Sequence, residues 1–173
     1  HSSVSFEHDY IAQARHAFDQ TITGLHRLAR SRQDIEVRVV VHALNAHRLA
    51  DLADYIYRNL PFASHVALMG LEVTGFARRN LSTLWIEPTE YLHELEKSVE
   101  YLAVRGMNVS IYNHQLCLLP RWLWKFARKS ISDHKTVYDQ RCAGCVAQGE
   151  CGGLFGTSQG VFSARICALT EAY

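Results

Sequence analysis

The chain has 173 residues, of which 48% are hydrophobic and 20% charged, and a formal net charge of +1. That length supports one domain with a sizeable core, and the near-neutral balance, with Lys and Arg scattered, argues against an electrostatic nucleic-acid binder. No apolar run approaches the ~20 residues of a membrane helix, and the first residues lack the charged and apolar regions of a secretory signal.

In chain order, Phe18, Ile22, Leu25 and Ala29 recur at helical spacing and predict an amphipathic helix over residues 10–31. His8-Asp9, just ahead of it, reads as a helix N-cap rather than an oriented imidazole. Residues 35–42 (I-E-V-R-V-V-V-H) are β-branched and predict a strand. A parallel strand buried on both faces should be apolar throughout, so Glu36 and Arg38 need an ion pair within the sheet or a polar ligand. Leu49, Leu52, Ala53, Ile56 and Leu60 mark a second helix that Pro61 stops. Residues 65–71 (H-V-A-L-M-G-L) predict a second strand. A third helix runs through Tyr91, Leu95, Val99 and Leu102, opened by Pro88-Thr89 and closed by Gly106, and residues 107–112 (M-N-V-S-I-Y) give a third strand.

Strands alternating with helices of this length predict an α/β fold with βαβ units and a parallel sheet. Chemistry in such sheets collects at the carboxyl ends of the strands. Those ends carry His42 and Asn45, then Glu72 and Thr74, then Asn113, His114 and Cys117. After Cys117 the alternation stops. R-W-L-W-K-F-A-R-K reads as helical and holds the densest basic cluster, and residues 142–173 are rich in Gly and Cys with little periodicity. Such a segment buries too little apolar surface to hold itself, and a metal is a plausible staple.

All five cysteines lie in the last third. Cys142, Cys145 and Cys151 form a C-x2-C-x5-C run followed by two glycines, in polar loop sequence where a buried apolar role makes little sense. A C-x2-C pair turns two thiolates toward one centre. Cys117, at the end of the third strand, is the expected fourth ligand, and His114 could support it from behind. Zinc and an iron–sulfur cluster would both accept four thiolates. Cys167, in R-I-C-A-L, reads as a buried small hydrophobe. A thiol redox pair at Cys142 and Cys145 is disfavoured, because a thioredoxin-like C-x-x-C sits at a strand-to-helix junction.

Taken in order, Glu36–His42, Met69–Gly75, Tyr112–Cys117, Ser130–Asp133 and the C-x2-C-x5-C-G-G run resemble the radical S-adenosylmethionine (SAM) maturase family of the His-Xaa-Ser peptide-modification system. The resemblance covers nearly the whole chain but only the C-terminal part of that family. It implies a partial (β/α) barrel of about three βα units over residues 1–116, followed by a small auxiliary-cluster domain of the SPASM or twitch kind over 117–173. The next cysteine of the SPASM pattern would fall at Phe155, so the chain departs from it. One auxiliary [4Fe–4S] cluster on Cys117, Cys142, Cys145 and Cys151 is the simpler expectation.

By the same resemblance, Gly70 and Glu72 lie near the SAM adenine. Arg38, His42 and Asn45 lie near its ribose or methionine end, and Asn113 belongs to the sixth strand of the barrel. The implied partners are a precursor peptide and a partner maturase subunit. The C-x3-C-x2-C motif that binds the SAM-cleaving cluster is absent, so this chain by itself is expected not to cleave SAM. A first residue other than Met predicts a trimmed chain or a segment of a longer one. Open barrel edges and an uncovered apolar face predict self-association, self-coverage or a need for the other half. With neither a membrane-length apolar run nor a secretory signal, the chain is expected to be cytoplasmic, with its thiols kept reduced. The other reading open at this point is a non-catalytic four-thiolate zinc or iron–sulfur module that binds a peptide or partner protein.

Overall fold

The computed structural model describes residues 1–129, 136–158 and 160–171. The Ser130–Asp133 segment of the resemblance and His134 lie outside the described residues. The predicted α/β alternation is present. β1 (Glu36–Val41), β2 (His65–Gly70) and β3 (Val109–Tyr112) pair in parallel, with α3 (Leu49–Asn59) and α6 (Leu92–Ala103) as the long connecting helices. A fourth parallel strand, β4 (Ala127–Arg128), extends the sheet in the order β1-β2-β3-β4. Among the described residues this sheet stays open, with β1 and β4 at its edges.

One face of the sheet carries Val39 and Val41, Val66 and Leu68, and Val109 and Ile111. These form one core with Leu49, Leu52 and Ile56 of α3 and Leu95, Val99 and Leu102 of α6. The alternation of side chains along each strand sends the intervening residues to the other face. There the first turn of the sheet is polar. Glu36 pairs with the Arg38 guanidinium, and its other oxygen lies 2.5 Å from His65 Nδ1. His65 Nε2 stands 3.0 Å from Ser110 Oγ. Of the two alternatives for Glu36 and Arg38, the ion pair is the one found. The expected bare apolar face is interrupted at this end by the charged network.

The amino-terminal helix departs from expectation. It is two helices, α1 (Ser5–Ala12) and α2 (Ala17–Arg30). Gln13 and His16 between them adopt left-handed conformations, with φ of 52° and 61°. Asp9 does act as a cap, but from inside α1 and toward α2. Its carboxylate accepts the backbone N–H of His16 (2.6 Å) and of Phe18 (2.9 Å). The two short helices α4 (Gly75–Arg79) and α5 (Leu81–Leu84) follow β2. Gly106 closes the end of α6 as expected, with φ of 78° and N–H donation to Ala103 O.

The segment after Cys117 is corrected in two respects. Residues Arg121–Phe126 form a 3-10 turn rather than an α-helix, and the chain then rejoins the sheet as β4. Pro120 opens the turn, and Leu123, fully buried, anchors it to the core. Farther on, β5 (Thr136–Val137) pairs antiparallel with β6 (Leu154–Phe155) and brackets the C-x2-C-x5-C run. Among the described residues no helix is long and apolar enough to cross a membrane.

The turn after β3 fixes how the cysteine segment meets the sheet. Asn113 takes φ of 59° and donates from Nδ2 to Gly70 O at 3.1 Å. A Cβ at Gly70 would stand 2.6 Å from the Asn113 carbonyl oxygen, too close for any real contact. Gly70→Ala should therefore destabilise the fold by about 1–3 kcal/mol, the range for overpacking a tight site. A urea titration read by circular dichroism checks this, and an unchanged midpoint would refute the close approach.

Candidate metal centre and the sheet-end cavities

The chain leaves β3 through Tyr112 and Asn113 and reaches Leu116–Leu118, a 3-10 turn that carries Cys117. A second turn, Gln140–Cys142, carries the first cysteine of the run and is capped by Asp139, whose side chain accepts the Arg141 N–H. The Cys145 N–H donates back to Cys142 O at 3.1 Å, so the C-x2-C pair sits on one tight turn as its spacing predicts. Gln115 Nε2 donates to Gly153 O (2.8 Å) and ties the two segments together. At Gly153, with φ of 62°, a Cβ would stand 2.7 Å from Thr136 and 2.9 Å from Val137 O. The second glycine of C-G-G thus lets β5 close over the run.

These turns bring Cys117, Cys142, Cys145 and Cys151 to the wall of one cavity. Cys167 lines it too, which corrects the expectation for that residue. Ile166 enters the small core with Leu118 and Leu154, while Cys167 beside it is exposed.

Backbone N–H groups are aimed at the sulfurs. Leu116 and Gly153 donate to Cys151 Sγ at 3.5 and 3.4 Å, and Leu169 donates to Cys145 Sγ at 3.4 Å. Donors pointed at sulfur favour the thiolate, the form that binds metal. Burial opposes them and pushes the Cys117 thiol up to about 11, with smaller upward contributions from Cys167, Cys151 and Cys142. Cys142 is raised by burial first and by Cys151 among its neighbours. The sulfurs therefore repel one another as anions, a repulsion that a bound cation would cancel. Among the described residues, no three His, Cys, Asp or Glu side chains stand close enough to hold a single metal ion. The donor set nonetheless fits a four-thiolate group in kind: soft sulfur ligands, N–H support and a largely apolar surround of Leu116, Ala147, Leu154 and Leu169.

His114 is not behind the cysteines. Its Nδ1–H donates to Tyr112 O (2.9 Å), which leaves Nε2 to accept from the Tyr91 hydroxyl at 2.8 Å. Complete burial lowers its pKa to about 4.

The residues expected around SAM divide between two cavities at the carboxyl ends of the strands. Gly70 and Asn113 line a cavity of about 40 Å³ between the sheet and the cysteine segment, with Trp85, Tyr91 and Phe155. His42 lines a larger one of about 730 Å³ over β1 and β2. Leu71 borders both. Glu72 accepts from Thr157 Oγ1 at 3.2 Å. Asn45 is consumed by the backbone, accepting from His42 N–H and donating to Val40 O. Arg38, exposed near the opposite ends of the strands, pairs with Glu36.

Comparison of the chain with protein-family models, with curated proteins and with solved structures finds no match.

The two buried histidines set a pH dependence. Burial also lowers the His42 pKa, to about 4, against an ordinary value of 6.5. Between those values the unfolded chain binds protons that the folded chain refuses, so stability falls as pH drops from 6.5 toward 4. The urea midpoint should be lower at about pH 5 than at about pH 7, and His114→Gln should flatten the difference. A midpoint independent of pH over that window would refute the neutral buried imidazoles.

Proposed function

We propose that this chain is the C-terminal part of a radical SAM peptide maturase, with an auxiliary [4Fe–4S] cluster held by Cys117, Cys142, Cys145 and Cys151. The observation that carries the reading is the convergence of five sulfurs on one cavity, with backbone N–H groups donating to Cys145 and Cys151. The order of sequence motifs supports it, as does an open parallel sheet ending beside that cavity. The same four thiolates would accept a zinc ion or an iron–sulfur cluster.

In this reading the sheet is part of a (β/α) barrel, and Gly70, Asn113 and His42 face the SAM and peptide side of it. The SAM-cleaving cysteines belong to a part of the enzyme outside these residues, because the chain has no C-x3-C-x2-C motif. A bound auxiliary cluster supplies one-electron chemistry or a Lewis-acidic iron. The chain's own contribution is to hold the thiolates, donate N–H groups to them and keep water out with Leu116, Leu154 and Leu169. A partner subunit and an edge-to-edge homo-oligomer are the associations the open sheet suits. Five unpaired thiols suit a reducing compartment such as the cytoplasm.

Anaerobic reconstitution with iron and sulfide should give a brown protein with about four iron and four sulfide per chain. Cys142→Ala should remove most of that iron and loosen residues 117–171, as read by hydrogen exchange. A colourless protein that takes up one zinc instead would reject the cluster and favour the non-catalytic zinc module. Unchanged metal content in Cys142→Ala would reject the ligand set.

A further inference from the structure

We propose that the turn Arg121–Phe126, with β4 and Lys129 after it, docks an acidic peptide that seats one uncharged apolar side chain in the cleft beside Cys117. Residues 121–129 carry four cations, Arg121, Lys125, Arg128 and Lys129, and no acidic residue. All four are exposed. Among the described residues no carboxylate forms an ion pair with Lys125, Arg128 or Lys129. Arg128 Nη1 donates instead to Lys125 O (2.7 Å) and Ala127 O (2.9 Å), and Lys129 Nζ to Gly149 O. Carbonyl oxygens satisfy these donors without cancelling their charge. The turn therefore keeps a positive field that draws anionic groups.

The fold holds this surface in place. Leu123 is fully buried, and Trp124 and Phe126 pack against the same core. The Arg121 guanidinium lies 3.7 Å from the Trp124 ring, and the Lys125 ammonium 5.1 Å from the Phe126 ring. Cations resting on rings are partly ordered before any partner arrives, which lowers the entropy lost on binding. Arg121 and Trp124 also line a cleft of about 520 Å³, within the range of specific ligand sites. Leu116, Leu119 and Leu169 give it apolar walls. Its two charged residues, Arg121 and Glu171, are opposite in sign. An uncharged side chain enters such a cleft with the least desolvation cost. Cys117 belongs to this cleft and to the cysteine cavity, so an occupant lies next to the candidate metal centre.

Other anionic partners fit this surface less well. An interfacial segment pushes exposed apolar side chains among lipid headgroups, and single-stranded nucleic acid stacks its bases on free ring faces. Of the turn's rings, only Trp122 is exposed, at 41%, and its indole N–H donates to Glu96 at 3.1 Å. The acidic class rests on the turn and the cleft alone; the choice of a peptide rests on the maturase reading.

The test uses the full chain, as purified and after reconstitution with iron and sulfide. Blocked peptides Glu-Glu-Leu-Glu-Glu, Glu-Glu-Gly-Glu-Glu and Lys-Lys-Leu-Lys-Lys are followed by isothermal titration and tryptophan fluorescence. The acidic leucine peptide should bind saturably in the micromolar to millimolar range, and each of the others at least about tenfold more weakly. Its affinity should fall as salt rises from about 20 to about 200 mM. Lys125→Glu with Arg128→Glu should weaken it by at least about tenfold. Arg27→Glu with Arg30→Glu on α2, an equal change in net charge, should leave it unchanged. Lys125→Glu alone decides the matter if the double variant does not fold. Thr170→Trp should narrow the cleft and bring the leucine peptide down to the glycine one. No binding of the acidic leucine peptide, equal binding of the lysine or glycine peptide, or an equal loss in the two double variants would overturn the proposal. Phosphatidylglycerol vesicles or oligothymidine bound more tightly than the peptide would overturn the peptide as occupant. Metal content is read on the same preparations. Peptide binding by a chain that takes up no cluster would sink the cluster assignment and leave this inference standing. A cluster-loaded chain that binds no acidic peptide would do the reverse.

Discussion

The close approach of Asn113 to Gly70 governs the end of the sheet where the cavities and the cysteine segment meet. With a carbonyl oxygen 2.6 Å from where a Cβ would stand, only glycine fits at the last residue of β2. The left-handed turn at Asn113 then sends each following residue to a different partner. His114 turns inward to Tyr91, Gln115 reaches Gly153 O, the Leu116 N–H points at Cys151 Sγ, and Cys117 joins the other sulfurs. Four consecutive residues thus join the helix layer, the sheet and the cysteine segment. A shift of one residue at that turn would move all four.

The cysteine segment has little core of its own: Leu118, Leu154 and Ile166, with Phe162 packed beside them. Hydrogen bonds make up part of the deficit. The Tyr138 hydroxyl lies 3.0 Å from the carbonyls of both Gln148 and Cys151, and Lys129 Nζ donates to Gly149 O at 2.9 Å. These contacts hold the turns, but they do not remove the cost of bringing several sulfurs together. That cost is visible in the raised pKa of Cys117, where burial and the neighbouring thiols act in the same direction. A group that binds thiolates reverses both effects, and so couples its own binding to the order of the whole segment.

Much of the sheet was legible in the sequence because strand and helix periods differ. Val37, Val39 and Val41 alternate with Glu36 and Arg38, while Leu95, Val99 and Leu102 recur at helical spacing, and each pattern found its element within a residue or two. The breaks were harder to see. Nothing in A-Q-A-R-H-A marks Gln13 and His16 as left-handed, since neither is glycine. The cap that supports the break comes from Asp9, seven and nine residues before the N–H groups it accepts. β4 was missed for a related reason. Two residues pair with Ile111 and Tyr112, too few to carry a period, and their strand character comes wholly from the partner they meet. At the candidate metal centre the C-x2-C-x5-C spacing marked three of the cysteines that share a cavity, while the apolar look of R-I-C-A-L hid that Cys167 lines it too.

The polar and apolar ends of the sheet explain why the candidate sites divide as they do. At the amino ends of the strands, Glu36, Arg38, His65 and Ser110 pair with one another across three strands. At the carboxyl ends the balance is reversed. Asn45 spends its side chain on the backbone of His42 and Val40, which holds the strand end rigid but leaves the neighbouring imidazole with a nitrogen unpaired. The same economy appears one strand over, where Asn113 bonds Gly70 and leaves a cavity beside it. Each strand end is thus fixed by an asparagine and opens onto space. Each cavity is thereby walled by backbone whose hydrogen bonds are already made.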